Sequence, residues 1–224
     1  MTYIVTGYYG SGKTEFVLNL AVALAGEKLT PVTIADLDVI NPFFRSRECA
    51  NSLAPLGIQI TGSVFENHVA QDVPALSFAF LSRIRAGENV IIDLPGGEGG
   101  LRLLSGCYDA IDPFCCEFLC VFNMYRPETD CAKKMIDFCK NINAVSPSFL
   151  PVTGLVNNGN LLAYTTAEHV LESQNAVLAA CRELSLPLKY TLVQEGIYKE
   201  IERDIVSESV LTFSAPQMRK NWQM

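Results

Sequence analysis

The sequence predicts an α/β protein of three layers, a mostly parallel central sheet with helices on both faces. Three observations predict it. Short β-rich apolar runs alternate with longer segments of helical periodicity, the pattern of βαβ units in a sheet buried on both sides. The first run opens into "TGYYGSGKTEF" (6–16), a glycine-rich bend placed between a strand pattern and a helix pattern. At 224 residues, 49% hydrophobic and 18% charged, the chain suits one globular domain over residues 1–224, and it shows no repeats, low-complexity tracts or linker.

The elements follow in order. "YIVTG" (3–7) is the first strand. From Lys13 to about Ala25, Phe16, Val17, Leu20, Ala21 and Leu24 recur at helical spacing, and Gly26 is placed to end that helix. "PVTIAD" (31–36) is a second strand, since Pro31 suits only a first position. After an irregular stretch at 39–48, "IQI" (58–60) fits a short edge strand, and 72–86 fits a helix with Pro74 in its first turn. "NVIIDLPGG" (89–97) is a strand running into a glycine turn, and "FLCVFN" (118–123) is the next strand. A helix over 127–142 starts near Pro127. "LPVTGLVNN" (150–158) is a strand, 166–184 a helix capped by Thr165 or Thr166, and "LKYTLV" (188–193) a last strand.

Composition excludes several classes. A formal charge of -7 and a pI of ≈ 4.9 argue against a broad hold on nucleic acid, which rewards clustered Lys and Arg. No apolar run approaches the roughly eighteen residues that a membrane-spanning helix needs. With only six residues ahead of Gly7 there is no room for a signal peptide, so the expected location is cytoplasmic. The tail, 215–224, reads as an ordinary C-terminus. The eight cysteines include the run "FCCEFLCVF" (114–122), contain no C-x-x-C pair, and are expected as buried reduced thiols. His68 and His169, the two histidines, suggest no metal centre.

Gly7, Gly12, Lys13 and Thr14 satisfy G-x-x-x-x-G-K-[ST] in the strand-to-helix context that gives the pattern its meaning. Glycines let the backbone curl until successive N–H groups face one hollow, and the following helix adds the positive end of its dipole. Phosphate oxygens are then expected on the backbone of Gly10, Ser11, Gly12, Lys13, Thr14 and Glu15. The Lys13 ammonium would bridge the terminal phosphates and the Thr14 hydroxyl would hold Mg²⁺.

Such a cradle needs carboxylates to place the metal. Asp93 ends "VIID" at the carboxyl end of a strand, where open α/β sheets place ligands. The turn beyond it, with Gly96 and Gly97, offers N–H groups that can sense a γ-phosphate. In "ADLDVINP", Asp36 and Asp38 share one side of a strand that ends there. Asp38 is expected to reach the site and orient the attacking water, and to share Mg²⁺, partly through water, with Thr14 and Asp93.

With "GYYGSGKTEF", "IADLDVINPFFRSRE" and "VIIDLPGGEGG" in that order, most of the chain resembles the MinD/ParA branch of P-loop ATPases, also described as the CobQ/CobB/MinD/ParA nucleotide-binding domain. The resemblance implies ATP sandwiched between two copies in a nucleotide-dependent homodimer, with the D-x-D segment opening switch I and the D-x-x-G segment opening switch II. It makes Lys13 and Thr14 the phosphate and magnesium residues, Asp38 the water-orienting acid and Asp93 the Walker B acid. Asn157, at the end of "VNN", becomes the reader of the adenine edge. Arg126 of "FNMYRPET" reads as a surface arginine that could touch nucleotide or partner.

One departure carries weight. Many relatives read K-G-G-x-G-K-T, and the first lysine crosses to the other subunit's nucleotide. Here that position holds Tyr8, which supplies no positive charge, so either hydrolysis is slow or Arg45 or Arg47 of "FFRSRE" substitutes. The expected function is a Mg·ATP-dependent ATPase or molecular switch that controls an unidentified protein partner. A nucleotide-gated binding module with negligible hydrolysis is the alternative. A P-loop small-molecule kinase ranks lower because no compact arginine lid appears. GTP ranks below ATP because "NNGN" (157–160) lacks the Lys and Asp of N-K-x-D.

Overall fold

The computed structural model describes residues 1–27, 29–38, 46–62 and 79–217, apart from the side chains of Arg47 and Glu48. Within them lie strands β1 (Thr2–Thr6), β2 (Val32–Asp36), β3 (Ile58–Gly62), β4 (Asn89–Asp93), β5 (Cys116–Phe122), β6 (Gly154–Asn157), β7 (Leu188–Gln194) and β8 (Ser209–Phe213). They pair in the order β3-β2-β4-β1-β5-β6-β7-β8, every neighbour parallel. Helices α1 (Lys13–Glu27), α2 (Ala50–Leu53), α3 (Phe80–Arg85), α4 (Glu98–Leu103), α5 (Ala132–Val145), α6 (Ala167–Leu184) and α7 (Glu195–Ile201) make the connections.

Both faces of the sheet are buried, and alternation along each strand divides its side chains between two cores. Ile4, Val90, Ile92, Phe118, Cys120 and Phe122 face Phe80, Leu101, Met135, Phe138 and Val177 from α3, α4, α5 and α6. Val5, Ile34, Ile91, Leu119 and Val121 face Phe16, Val17, Leu20 and Leu53 from α1 and α2. Full burial of one such side chain stabilises the fold by roughly 1.5–3 kcal/mol. This explains why the inner strands β1, β4 and β5 are mostly apolar.

β1, the first strand in the chain, is central, between β4 and β5. The sheet grows outward from it in both directions, so loops leaving the carboxyl ends of β1, β2, β4, β5 and β6 meet above one crevice.

The strand expected over 150–158 is shorter, Gly154–Asn157, and four further differences follow. The helix expected from Pro127 begins at Ala132, because Asn123 gathers the intervening residues into turns: its Oδ1 accepts from Tyr125 N at 3.0 Å and its carbonyl accepts from Arg126 N at 3.1 Å. α7 follows β7 at once, and β8, not β7, is the final strand. α4 occupies the glycine-rich stretch after Gly97 that was read only as a turn. Of the helix expected over 72–86, the structure shows Phe80–Arg85, and residues 72–78 lie outside the described ones. Thr166 is the cap of α6, its Oγ1 accepting from His169 N at 3.3 Å while His169 Nδ1 accepts from Thr166 N at 3.2 Å.

All eight thiols are free, six of them buried, with Cys115 and Cys131 exposed. Among the described residues no helix is long and apolar enough to cross a membrane.

Candidate nucleotide site

The bend between β1 and α1 is a tight cradle. Gly10 and Gly12 stand at φ +74° and +82°, left-handed conformations that favour glycine. A Cβ on Gly7 would lie 2.5 Å from Val121 O and 2.8 Å from Ser11 Oγ, so the chain passes too close to β5 for any side chain. The bend is braced from β6: Asn158 Nδ2 donates to Ser11 O at 2.7 Å. From the β4 side the "LPGG" turn leans on it, and a Cβ on Gly96 would come within 3.2 Å of Gly7 O and Tyr9 N. Gly97, at φ +77°, then starts α4.

Lys13 opens α1 and is only 6% exposed. Its ammonium folds back on the loop, donating to Tyr8 O at 3.0 Å and sitting 5.7 Å from the centre of the Tyr9 ring. Burial pushes the Lys13 pKa down, while the charges of Asp93 and Asp38 push it up.

Thr14 Oγ1 donates to Asp93 Oδ2 at 2.9 Å, joining the first turn of α1 to the end of β4. Asp93 Oδ1 is buried and has no hydrogen-bond partner among the described residues. Burial first, then the charge of Asp36, raises the Asp93 carboxyl to about 7; Lys13 and the Thr14 bond pull it down, and Asp38 adds a smaller upward push. An orphaned carboxylate oxygen beside a hydroxyl is a hard-oxygen donor set that fits Mg²⁺. Asp38 is 8% exposed and its N donates to Asp36 Oδ1 at 3.2 Å.

Lys13, Thr14 and Asp38 open on a cavity of ≈ 210 Å³. Tyr9, Gly10, Gly12, Lys13, Thr14, Glu15 and Asp38 form its end at the bend. Asn123, Arg126, Asn158, Asn160 and Leu162 line it from the loops after β5 and β6, and Leu192, Phe213 and Pro216 from β7, β8 and the segment beyond. Gln217 N donates to Glu15 Oε1 at 2.7 Å, which ties that last segment to α1.

Solved structures share this arrangement of sheet and helices. The cell division protein FtsY from Thermotoga maritima is similar over 85% of this chain and 60% of its own, with a TM-score of 0.53 and 20% identity. For chloroplast FtsY from Physcomitrella patens the corresponding figures are 85%, 57%, 0.54 and 18%. For the signal recognition particle receptor FtsY from Elizabethkingia anophelis they are 85%, 56%, 0.51 and 17%. This chain is the α/β P-loop NTPase fold. It spans no more than 60% of the length of these three proteins, and at such identities the likeness is one of fold. No protein-family model matches the sequence, and no curated protein matches it.

Within this P-loop fold, Gly10, Ser11, Gly12, Lys13, Thr14, Asp38 and Asp93 come together at the carboxyl ends of β1, β2 and β4. Asn157 does not join them. It is fully buried, with Nδ2 donating to Val170 O at 3.3 Å and Oδ1 accepting from Ser173 Oγ at 2.7 Å and Gly159 N at 3.2 Å. Asn157 therefore anchors α6 to β6, and it is Asn158 and Asn160 that reach the cavity. Leu192, Phe213 and Pro216 had no motif to announce them. Arg45 lies outside the described residues, as does the Arg47 side chain.

Tyr8 turns into the protein. Its half-buried ring packs on Phe138 with centroids 4.7 Å apart, and Phe138 meets Phe122 edge-on at 5.8 Å. The tightness of the bend gives a test. A Cβ at Gly12 would collide with Asn158 Nδ2, so Gly12→Ala is expected to destabilise the protein by about 2 kcal/mol or more, from strain plus loss of the brace. Denaturant unfolding checks it, and an unchanged midpoint would show the bend to be loosely held.

Proposed function

We propose that this chain is a Mg·ATP-binding NTPase of the MinD/ParA branch, acting in the cytoplasm as a molecular switch that controls a partner protein. The observation that carries the reading is the Thr14–Asp93 bond of 2.9 Å with the second Asp93 oxygen buried and unpartnered among the described residues. It joins a hydroxyl and a carboxylate where a metal-bound triphosphate would need both.

The backbone N–H groups of 10–15 and the start of α1 would hold phosphate oxygens. Lys13 would exchange its bond to Tyr8 O for one to the terminal phosphates. Thr14, Asp93 and, through water, Asp38 would hold Mg²⁺, which when bound neutralises charge on the β- and γ-phosphate oxygens. Asp38 orients water so that its oxygen bonds to the γ-phosphorus while the bond to the β,γ-bridging oxygen breaks. The electron pair stays with ADP, and the water proton leaves with phosphate. Asn158 and Asn160 are amide groups suited to an adenine edge, and the apolar wall of Leu192, Phe213 and Pro216 suits the base face. ATP would lie between two copies of the chain.

The Tyr8 ring favours one second reading, a nucleotide-gated binding module with negligible hydrolysis, because a core aromatic cannot lend charge to a facing subunit. Titration calorimetry with MgATP and MgGTP, phosphate release, and light scattering in each state test the choice. Micromolar MgATP affinity, slow turnover and dimer formation are expected. Binding without phosphate release would leave the module, and no heat from either triphosphate would overturn both readings.

A further inference from the structure

We propose that Arg126 supplies, from within the same subunit, the positive charge at the phosphate site that Tyr8 cannot provide. This rests on the nucleotide reading above. The backbone of Arg126 is held from several sides by the turns after β5. Its N donates to Asn123 O at 3.1 Å, its O accepts from Thr129 N at 2.9 Å, and Thr129 Oγ1 donates to Asn123 O at 2.7 Å. Asn123 is itself moored to the loop after β6 through Nδ2 to Asn160 O at 2.8 Å. The side chain therefore leaves from a fixed point.

It is laid across the cradle. Arg126 Nε donates to Gly10 O at 3.0 Å, and a Cβ on Gly10 would stand 3.4 Å from that nitrogen and 3.6 Å from the guanidinium carbon. The guanidinium thus lies in ordinary contact range of position 10, whose left-handed φ of +74° is what calls for glycine. Of the five guanidinium N–H donors, the Gly10 bond uses one. The other four meet no acceptor, and no carboxylate pairs with the group, among the described residues. The fork borders the same cavity as Lys13, Thr14 and Asp38. A planar fork steadied through Nε, with both terminal nitrogens unspent beside a ring of amides, is matched to two phosphate oxygens at once.

As the γ-phosphoryl group passes to water, the electron pair of the breaking bond settles on the bridging oxygen of ADP. A guanidinium at this wall shares that charge, the service an arginine finger performs from another chain. Its presence in cis makes turnover independent of a facing subunit's cation.

The test is calorimetry of wild type, Arg126→Ala, Arg126→Gln, Arg126→Lys and Lys13→Ala with MgADP and with MgADP plus aluminium fluoride, which mimics the phosphoryl group in transfer. Arg126→Gln keeps a donor for Gly10 without charge, and melting curves report folding. Arg126→Ala and Arg126→Gln are expected to bind MgADP within about threefold of wild type and the aluminium fluoride complex at least about tenfold more weakly, with Arg126→Lys recovering part of the loss. Equal binding of the aluminium fluoride complex by wild type and Arg126→Gln overturns the proposal while leaving the nucleotide reading standing. So does an equal loss for both ligands, which would mean that Arg126 only braces Gly10. If wild type binds neither ligand, the nucleotide reading falls and takes this one with it.

Discussion

Lys13→Ala is expected to weaken MgATP binding by at least about 100-fold, because two charge-assisted hydrogen bonds of roughly 1.5–3 kcal/mol each would vanish together. The size of the effect comes from where the ammonium sits. It is nearly buried at the start of α1, with the carboxylates of Asp93 and Asp38 close enough to shift its pKa and no other described lysine on the cavity wall. Its removal would also leave Tyr8 O without its 3.0 Å donor. The melting temperature of the nucleotide-free variant should therefore fall modestly while affinity collapses. Calorimetry against MgATP and a melting curve separate the two effects. An unaltered affinity would show that the bend grips no phosphate.

Asp93→Asn is expected to stabilise the nucleotide-free protein above pH 7 while abolishing the gain in affinity that Mg²⁺ gives. Burial, aided by Asp36 and Asp38 and opposed by Lys13 and the Thr14 hydroxyl, lifts the folded carboxyl to about 7 from an ordinary value of 3.8. The folded state then holds a proton that the unfolded chain has already released. Stability contributed by the neutral form is complete below pH ~4, declines as pH rises, and is gone above pH ~7. The upper bound is about 4 kcal/mol, and water entering the cavity lowers it. The melting temperature of Asp93→Asn should therefore exceed that of wild type by more at pH 8 than at pH 5. In parallel, the ratio of ATP affinities with Mg²⁺ and with chelator should fall to near one. Parallel melting profiles across that range would mean that the carboxylate is already compensated.

Much of this site was legible because its chemistry is local in sequence. The cradle, Lys13 and Thr14 occupy eight consecutive residues, and Asp93 closes an apolar run at the carboxyl end of a buried strand. Asp38 followed from strand alternation. What escaped depended on position within a turn or on distant packing. Asn157 and Asn158 are adjacent, and only the place where β6 ends decides which amide turns toward α6 and which toward Ser11. β8 was missed because this short edge strand is only partly buried: Leu211 and Phe213 are inside, while Ser209, at its start, and Thr212 are exposed. α7 was missed because β7 runs into it with no turn residue between, and Gly196 weakens its helical pattern. The start of α5 at Ala132 was hidden by Asn123, whose bonds hold Pro127 in a turn although proline suits a helix start equally well.

The central place of β1 makes its pairing long-range on both sides. Its partners β4 and β5 are supplied by residues 89–93 and 116–122, so this strand must wait across a long stretch of chain before its backbone groups are satisfied. Closing such wide intervals is entropically slow. The bend between β1 and α1, though it precedes them in the chain, therefore depends on two later segments: β5 forms one of its walls, and Asn158 braces it.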